Sequence, residues 1–336
     1  VARPSFFAAA AAAAASGRRP LKKMHMLELF QKDLRRGQLA EALPPKPVAE
    51  NILRVAQWNV NALRGLYSIS EEDPENILHV VDSLAADILV LQEFCRAPEE
   101  VDEPKMAAGI LAAGLRERGY QVFVSHVAYP TVLASRIEIC GEVPSVPLYE
   151  EPVDWASARA ALCAQICLSI GHRLTIYGTH FHHQNRPEGI RRHQAEVILQ
   201  HRAASSSADA TLIVGDFNQQ RPCDYSSEEW GILAATKAQF GEPEDDGVCA
   251  CFSEAGFSCV LDAMDADRNW SKDALPPPTH WTSTIIDYTF ARGLVARGLY
   301  VVPLARVPAA SDHLPLVCDW ELPKEPVTTK TSESTA

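Results

Sequence analysis

The chain has 336 residues, 47% of them hydrophobic and 22% charged, with a formal net charge of -12. That balance suits a globular protein with a sizeable core and excludes a basic nucleic-acid coat. A polyanionic ligand would need a local positive patch or a metal ion to offset the acidic field. Nine cysteines without a C-x-x-C pair read as reduced, mostly buried thiols, which favours an intracellular protein of the nucleus, cytoplasm or mitochondrion. No apolar run approaches the roughly 20 residues of a membrane span.

Residues 1–23 carry Arg3, Arg18, Arg19, Lys22 and Lys23, no acid, and an alanine run ending at Ala15. This composition fits a low-complexity tail, an Arg-rich transit peptide or a secretory signal. An amphipathic helix is predicted over 24–43, with Met26, Leu27, Phe30 and Leu34 on or near one face, stopped by Pro44 and Pro45. Residues 1–49 are therefore set apart as an N-terminal tail plus helix. From residue 50 strands alternate with helices and no linker interrupts them. Strands are expected over 53–60, 88–94, 120–126, 132–140, 160–170, 174–181, 211–216, 284–291, 299–307 and after His313. Helices are expected over 76–86, 106–118 and 189–201. Residues 219–280 read as irregular, holding the acidic Glu242 to Asp246 and Pro276-Pro277-Pro278. The tail over 323–336 is disordered by composition. One α/β domain over 50–322 is the expected organisation.

The stretch Thr211-Leu-Ile-Val-Gly-Asp216-Phe-Asn218 stands out. A buried strand ends in a carboxylate, which an apolar core would not tolerate unpaired. Open α/β sheets place their ligands at such strand ends. Five other apolar segments end the same way, in Asn59, Glu93, His180, Asp287 and Asp312 with His313. Singly, each has a structural explanation: a strand-end Asx turn, a satisfied core histidine, an ion pair of Asp287 with Arg292. Together they make an oxygen-rich set suited to Mg²⁺ or Mn²⁺ rather than zinc, and two histidines among acids suit phosphoryl chemistry.

Trp58-Asn59, Leu91-Gln92-Glu93, Thr179-His180, Gly215-Asp216-Phe217-Asn218, Ile286-Asp287-Tyr288 and Ser311-Asp312-His313 occur in this order. The ordered set, covering 53 to 320, resembles the endonuclease/exonuclease/phosphatase superfamily. The resemblance implies a four-layer α/β sandwich, two packed mixed β-sheets flanked by helices, and a Mg²⁺-dependent phosphoesterase. It implies Glu93 as the main metal ligand, with Asn59 near the metal and Asp312 flanking it. Asp216 and Asn218 would position water and phosphate, Asp287 would orient His313, and His180 would contact phosphoryl oxygens. Arg191-x-x-Gln194 is similar to a pattern of these enzymes, with Arg191 a candidate substrate contact; its alternative is a solvated helix face.

The departures bear on subfamily. Trp58-Asn59-Val60-Asn61 is close to the abasic-site endonuclease pattern without its Asp-Gly, and the Trp-Cys-Asp-Arg signature of inositol-polyphosphate phosphatases is missing. Thr179-His180 with Arg191-x-x-Gln194 is similar to the tyrosyl-DNA phosphodiesterase branch, with Phe181-His182-His183 in place of Leu-Glu-Ser. The stretch 172–202 holds five Arg and six His against two Glu, a candidate positive patch for a nucleic-acid phosphodiester. Trp230, Trp270 and Trp281 would either stack on bases, Trp281 nearest the site, or bury the long connection. A monomeric phosphodiesterase or nuclease on nucleic acid is the leading expectation. A phosphatase or phosphodiesterase on inositol phosphate or sphingomyelin is the alternative. Thr179-His180-Phe181-His182 also resembles the start of a metallo-β-lactamase zinc motif, but Gln184 and Asn185 stand where two ligands belong. A non-catalytic binding protein is the remaining reading.

Overall fold

The computed structural model describes residues 43–49, 51–61, 74–94, 102–149, 158–168, 173–184, 188–205, 210–263, 267–270, 274–303, 307 and 311–322. The predicted tails and all but the end of the predicted helix over 24–43 lie outside the described residues.

The fold is an α/β sandwich of two mixed sheets. The first runs in the order β10 (Asp267–Arg268), β12 (Val295–Val301), β13 (Leu316–Glu321), β1 (Ile52–Asn59), β2 (Ile88–Gln92), β4 (Val132–Ser135) and β3 (Gln121–Val124). The second runs β5 (Ser145–Pro147), β6 (Ala160–Cys167), β7 (Arg173–His180), β8 (Ala210–Asp216), β11 (Asp287–Arg292) and β9 (Ser258–Cys259). Each sheet has a parallel pair at its centre, β1 with β2 and β7 with β8. These four strands face one another across the sandwich. All seven residues of β7 after Arg173 and all of β8 are buried, so neither strand alternates. Gly215 permits the close approach of this pair: a Cβ there would fall 2.0 Å from the Thr179 carbonyl oxygen.

Helices α1 (Pro74–Leu84) and α2 (Asp102–Glu117) pack together, with α2 against β3. Helix α1 presents Ile77, Leu78, Val81 and Leu84 to the core, the 3.6-residue spacing of an amphipathic helix. Helix α3 (Ile190–Ser205) packs on α5 (Val248–Glu254), which covers β9. Between them in sequence lies α4 (Ser227–Gln239). One continuous hydrophobic core, from Leu53 to Leu322, joins both sheets and their helices.

Three expectations are corrected. Residues 219–280 are not irregular, because they contain α4, α5, β9 and β10. Helix α4 buries only Leu233 and Lys237, so it lacks an apolar stripe; its readable mark is the capping box of Ser226 and Glu229. Strand β4 stops at Ser135, where the Ser135 hydroxyl takes the Ile137 N–H in a local turn. Cys140 and Cys167 are not thiols but are joined in a disulfide with a Cα–Cα separation of 6.0 Å. An isolated bridge between Ile139 and Ile166 sets them side by side. Cysteine usage therefore does not specify the compartment. Among the described residues no helix is long and apolar enough to cross a membrane.

Candidate active site

The polar strand ends meet at one edge of the sandwich. In the second sheet they form a row: His180 on β7 is in register with Asp216 on β8, which is in register with Asp287 on β11. The first sheet contributes Asn59 at the end of β1, Glu93 one residue past β2, and Asp312 and His313 before β13. Parallel pairing makes this the C-terminal edge of both central pairs, the position that open α/β sheets use for ligands. The Asn59 amide nitrogen joins the two sheets, 3.1 Å from Asp216 Oδ2 and 3.3 Å from Glu93 Oε1. Its oxygen accepts the Asn61 N–H at 2.9 Å. Asn59 thus steadies two carboxylates with its nitrogen while its oxygen accepts from the backbone.

Backbone strain marks the same edge. Glu93 and Asn218 have φ of 49° and 50°, in the left-handed region that non-glycine residues rarely adopt. Such conformations cost about 1–3 kcal/mol and persist where surroundings over-determine them. Asn218 is held twice: its N–H donates to Asp216 Oδ1 at 2.8 Å and its side-chain nitrogen donates to the Phe181 carbonyl at 3.1 Å. The same nitrogen lies 3.2 Å from His180 Nε2, so that ring nitrogen accepts and the proton sits on Nδ1. Burial, aided by the Arg159 charge, holds His180 well below the usual imidazole range, which keeps it neutral.

His313 is the opposite case. Burial alone would lower its pKa. The Asp287 carboxylate, 2.9 Å from its Nδ1, and then Asp216 overcome that and push it up to about 10. Its Nε2 lies 3.8 Å from Asp216 Oδ2 and 4.0 Å from Asp312 Oδ1. A charged imidazolium therefore stands among acids with its Nε2–H toward the site. Asp216 is raised to about 7, first by burial and then by the like charge of Asp287. Glu93 is also raised, by burial and by the charge of Asp312. Burial would raise Asp312 too, but His280, with Nε2 3.7 Å away, and charged His313 hold it below its usual value.

These acids suit a hard divalent cation. Crowded carboxylates with raised pKa values are relieved by positive charge, and oxygen donors match Mg²⁺ or Mn²⁺. The groups whose ligand atoms lie within 4.8 Å of one another are Asp216–Asp287–His313 and His280–Asp312–His313. Glu93 stands outside both, with Oε1 3.8 Å from His180 Nε2, but its carboxylate and that of Asp312 keep the greatest exposure to solvent among the site's acids.

Arg191 is placed differently from expectation. It is buried, and its guanidinium is engaged by the Asn218 carbonyl, by Glu242 at 2.9 Å and by Asp246 at 2.7 Å. It locks Asn218 from behind and has no free head for substrate. Of the predicted positive patch over 172–202, residues 172 and 185–187 lie outside the described residues. Arg192 pairs with Glu196, and Arg202 reaches Thr211 and lies over the Phe257 ring. Among the described residues Arg159, just before β6, also brings positive charge to the site, and it lowers Glu93 and His180. Its sequence signal is an arginine at the head of the apolar run Ala160-Ala161-Leu162-Cys163-Ala164. His280 was also missed. Its backbone bridges to His313, and the two rings lie 4.6 Å apart. Trp281 sits at the site's margin, with its backbone N–H on the Asp312 carbonyl. Trp270 is buried, and Trp230 packs on Tyr225 and donates to Glu244, so both secure the long connection.

Comparisons with known proteins agree with this fold. Among solved structures, human Nocturnin's catalytic domain with bound sulfate is 20% identical, covering 84% of this chain and 99% of that one at a TM-score of 0.57. ANGEL2, a 2′,3′-cyclic phosphatase in complex with adenosine-2′,3′-vanadate, is 16% identical, covering 81% and 96% at 0.58. A humanized D. rerio TDP2 is 18% identical, covering 81% and 99% at 0.53. No curated protein sequence matches the chain. At these identities the structures establish the fold alone. The sequence itself matches the Endonuclease/Exonuclease/phosphatase family over residues 56–313, and the chain belongs to that family.

Proposed function

We propose that residues 50–322 form a Mg²⁺- or Mn²⁺-dependent phosphodiesterase acting on nucleic acid, in the manner of the tyrosyl-DNA phosphodiesterase branch or a nuclease. Members of the family are hydrolases of phosphate esters. The observation that carries the reading is the meeting, at one strand edge, of an imidazolium (His313), a carboxylate titrating near neutrality (Asp216) and two partly exposed acids (Glu93, Asp312). Glu93 and Asp312 would hold the cation, with Asn59 fixing Glu93. Such a cation supplies neutralisation of phosphoryl charge and a more acidic bound water. Asp216 Oδ2 accepts the proton of the attacking water, and Asn218 fixes Asp216 Oδ1. His313 donates its Nε2–H to a phosphoryl oxygen, while Asp287 holds its Nδ1–H. Arg159 adds a fixed positive charge from below, and neutral His180 holds the Asn218 amide.

The solved structures named above include a protein titled as a 2′,3′-cyclic phosphatase in complex with adenosine-2′,3′-vanadate, which supports a nucleic-acid ester over a lipid headgroup. A substrate panel with Mg²⁺ tests this: a 5′-tyrosyl oligonucleotide, an abasic duplex, poly(A), an oligonucleotide 2′,3′-cyclic phosphate, an inositol phosphate and sphingomyelin. Turnover of one or more nucleic-acid substrates, abolished by EDTA, is the expected result. Turnover of only the last two substrates overturns the substrate assignment. Undiminished turnover in EDTA overturns the metal.

A further inference from the structure

His280 gives one side of the strand edge a different donor set. The acids form a seat for a hard cation, but at their rim two imidazoles flank a single carboxylate. His280 Nε2 lies 3.7 Å from Asp312 Oδ2, and His313 Nε2 lies 4.0 Å from Asp312 Oδ1. Ligand atoms of the three side chains all lie within 4.8 Å of one another. The two printed separations are longer than hydrogen bonds. Two ligands at about 2.0–2.1 Å on a tetrahedral metal stand roughly 3.3 Å apart, so small side-chain rotations close the triangle on an ion.

The far nitrogen of each ring is already engaged. His280 Nδ1 is 2.6 Å from the Thr282 hydroxyl oxygen. With Thr282 accepting the Nδ1–H, the Nε2 lone pair of His280 is left for a ligand. On the other side Asp287 takes the Nδ1–H of His313 at 2.9 Å. Both rings thus commit Nδ1 and turn Nε2 toward Asp312, the arrangement that fixes the tautomer and orientation of metal-binding imidazoles. A backbone bridge holds the rings 4.6 Å apart, so their spacing is set by the fold. The side chains of His280 and Asp312 keep 17% and 19% exposure, which gives an ion a way in from solvent. Two imidazole nitrogens and one carboxylate oxygen, with a fourth position open to water, suit Zn²⁺, whereas Mg²⁺ takes oxygen ligands.

We propose that His280, Asp312 and His313 form an inhibitory Zn²⁺ site, distinct from the hard-cation seat at Glu93. The ion takes the place of the proton on His313 Nε2, so that nitrogen can no longer donate to a phosphoryl oxygen. It also draws Asp312 away from the Mg²⁺ or Mn²⁺ position. The binding site stands on its own geometry, and its inhibitory effect rests on the phosphodiesterase reading above.

The test is Zn²⁺ calorimetry on the full chain, paired with the absorption spectrum of Co²⁺ bound in its place. Wild type should bind one equivalent that depends on His280, with no thiolate charge-transfer band from the free cysteines. His280→Asn should abolish that equivalent. Thr282→Val keeps all three ligands and should weaken it about tenfold, the cost of losing an imidazole's outer partner. With Mg²⁺ saturating, Zn²⁺ should stop wild-type turnover, and each variant, scored against its own zinc-free rate, should need more Zn²⁺ for the same inhibition. Undiminished Zn²⁺ affinity in His280→Asn, or in Thr282→Val should the first variant not fold, overturns the site, as does a thiolate band. His280-dependent binding that leaves turnover untouched upholds the site and overturns the inhibition. A protein that binds Zn²⁺ this way yet hydrolyses no phosphodiester upholds the site and overturns the phosphodiesterase reading.

Discussion

Two of the buried ion pairs in this sandwich serve opposite ends of its strands. Arg54 and Asp319 face each other across β1 and β13, with Nε and Nη2 each 2.7 Å from a carboxylate oxygen. The third guanidinium nitrogen reaches the Pro44 carbonyl at 3.2 Å. The hydrogen-bonding capacity of both partners is nearly exhausted. Asp287 and His313 share one hydrogen bond only, and Asp287 Oδ1 has no partner among the described residues. Around this second pair stand two more acids, a neutral histidine and a strained asparagine. A saturated pair has nothing left to offer a ligand and can only hold strands together. An unsaturated one keeps charge and donors in reserve, and that reserve is what chemistry uses.

The largest expected effect breaks the saturated pair. Asp319→Ala should lower stability by about 3–5 kcal/mol, because it strands a buried guanidinium. The turnover of the folded fraction should not change. Urea denaturation measures the loss, and the double variant Arg54→Met/Asp319→Leu should recover most of it. A single-variant cost near zero would erase the distinction between the pairs.

On the site's side, Asp216→Asn should lower kcat roughly 10²–10³-fold, the size of losing one group aimed at developing charge. Its denaturation midpoint should hold or rise, because a crowded buried charge is removed. Full turnover in this variant would remove Asp216 from the mechanism. His313→Ala should cost at least about 10²-fold in kcat, as for a general acid; a smaller loss would make the imidazolium a strut.

Asp287→Asn sharpens the comparison through pH. Imidazole NMR on the metal-free protein should show the His313 pKa falling from about 10, with Asp216, Asp312 and His280 as the remaining groups that face it. A histidine raised on folding stabilises fully below about pH 6.5 and loses that contribution as pH rises through about 10. The loss of stability between those limits in wild type should therefore flatten in the variant. The smallest effect expected is for Glu93→Gln, a rise of severalfold in the Mg²⁺ concentration needed for half activity with little change in substrate affinity. A metal titration that overlays wild type would move Glu93 off the cation.

The sequence made the strand ends legible because a polar residue closing an apolar run leaves a sharp local contrast. Asn59, Asp216 and His313 are found that way, and their order carries the family. Arg159 and His280 escaped because the fold, and no local contrast, brings them to the edge. Arg191 misled for the same reason. Its position on α3 is legible, but Glu242 and Asp246, about fifty residues later, decide what its guanidinium does. Helix α4 is not legible in the sequence because it buries only Leu233 and Lys237 and so carries no apolar stripe.

The Asn59 bridge has a mechanical consequence. Asn59, Glu93 and His313 hang from one sheet, and His180, Asp216 and Asp287 from the other, so the site is a seam between two separately built plates. A slide of one residue along a strand is about 3.3 Å, whereas a hydrogen bond tolerates a few tenths of an ångström. Turnover would then act as a gauge of how the plates are aligned, and would fade under strain that leaves both sheets, and most of the spectroscopic signal of folding, intact.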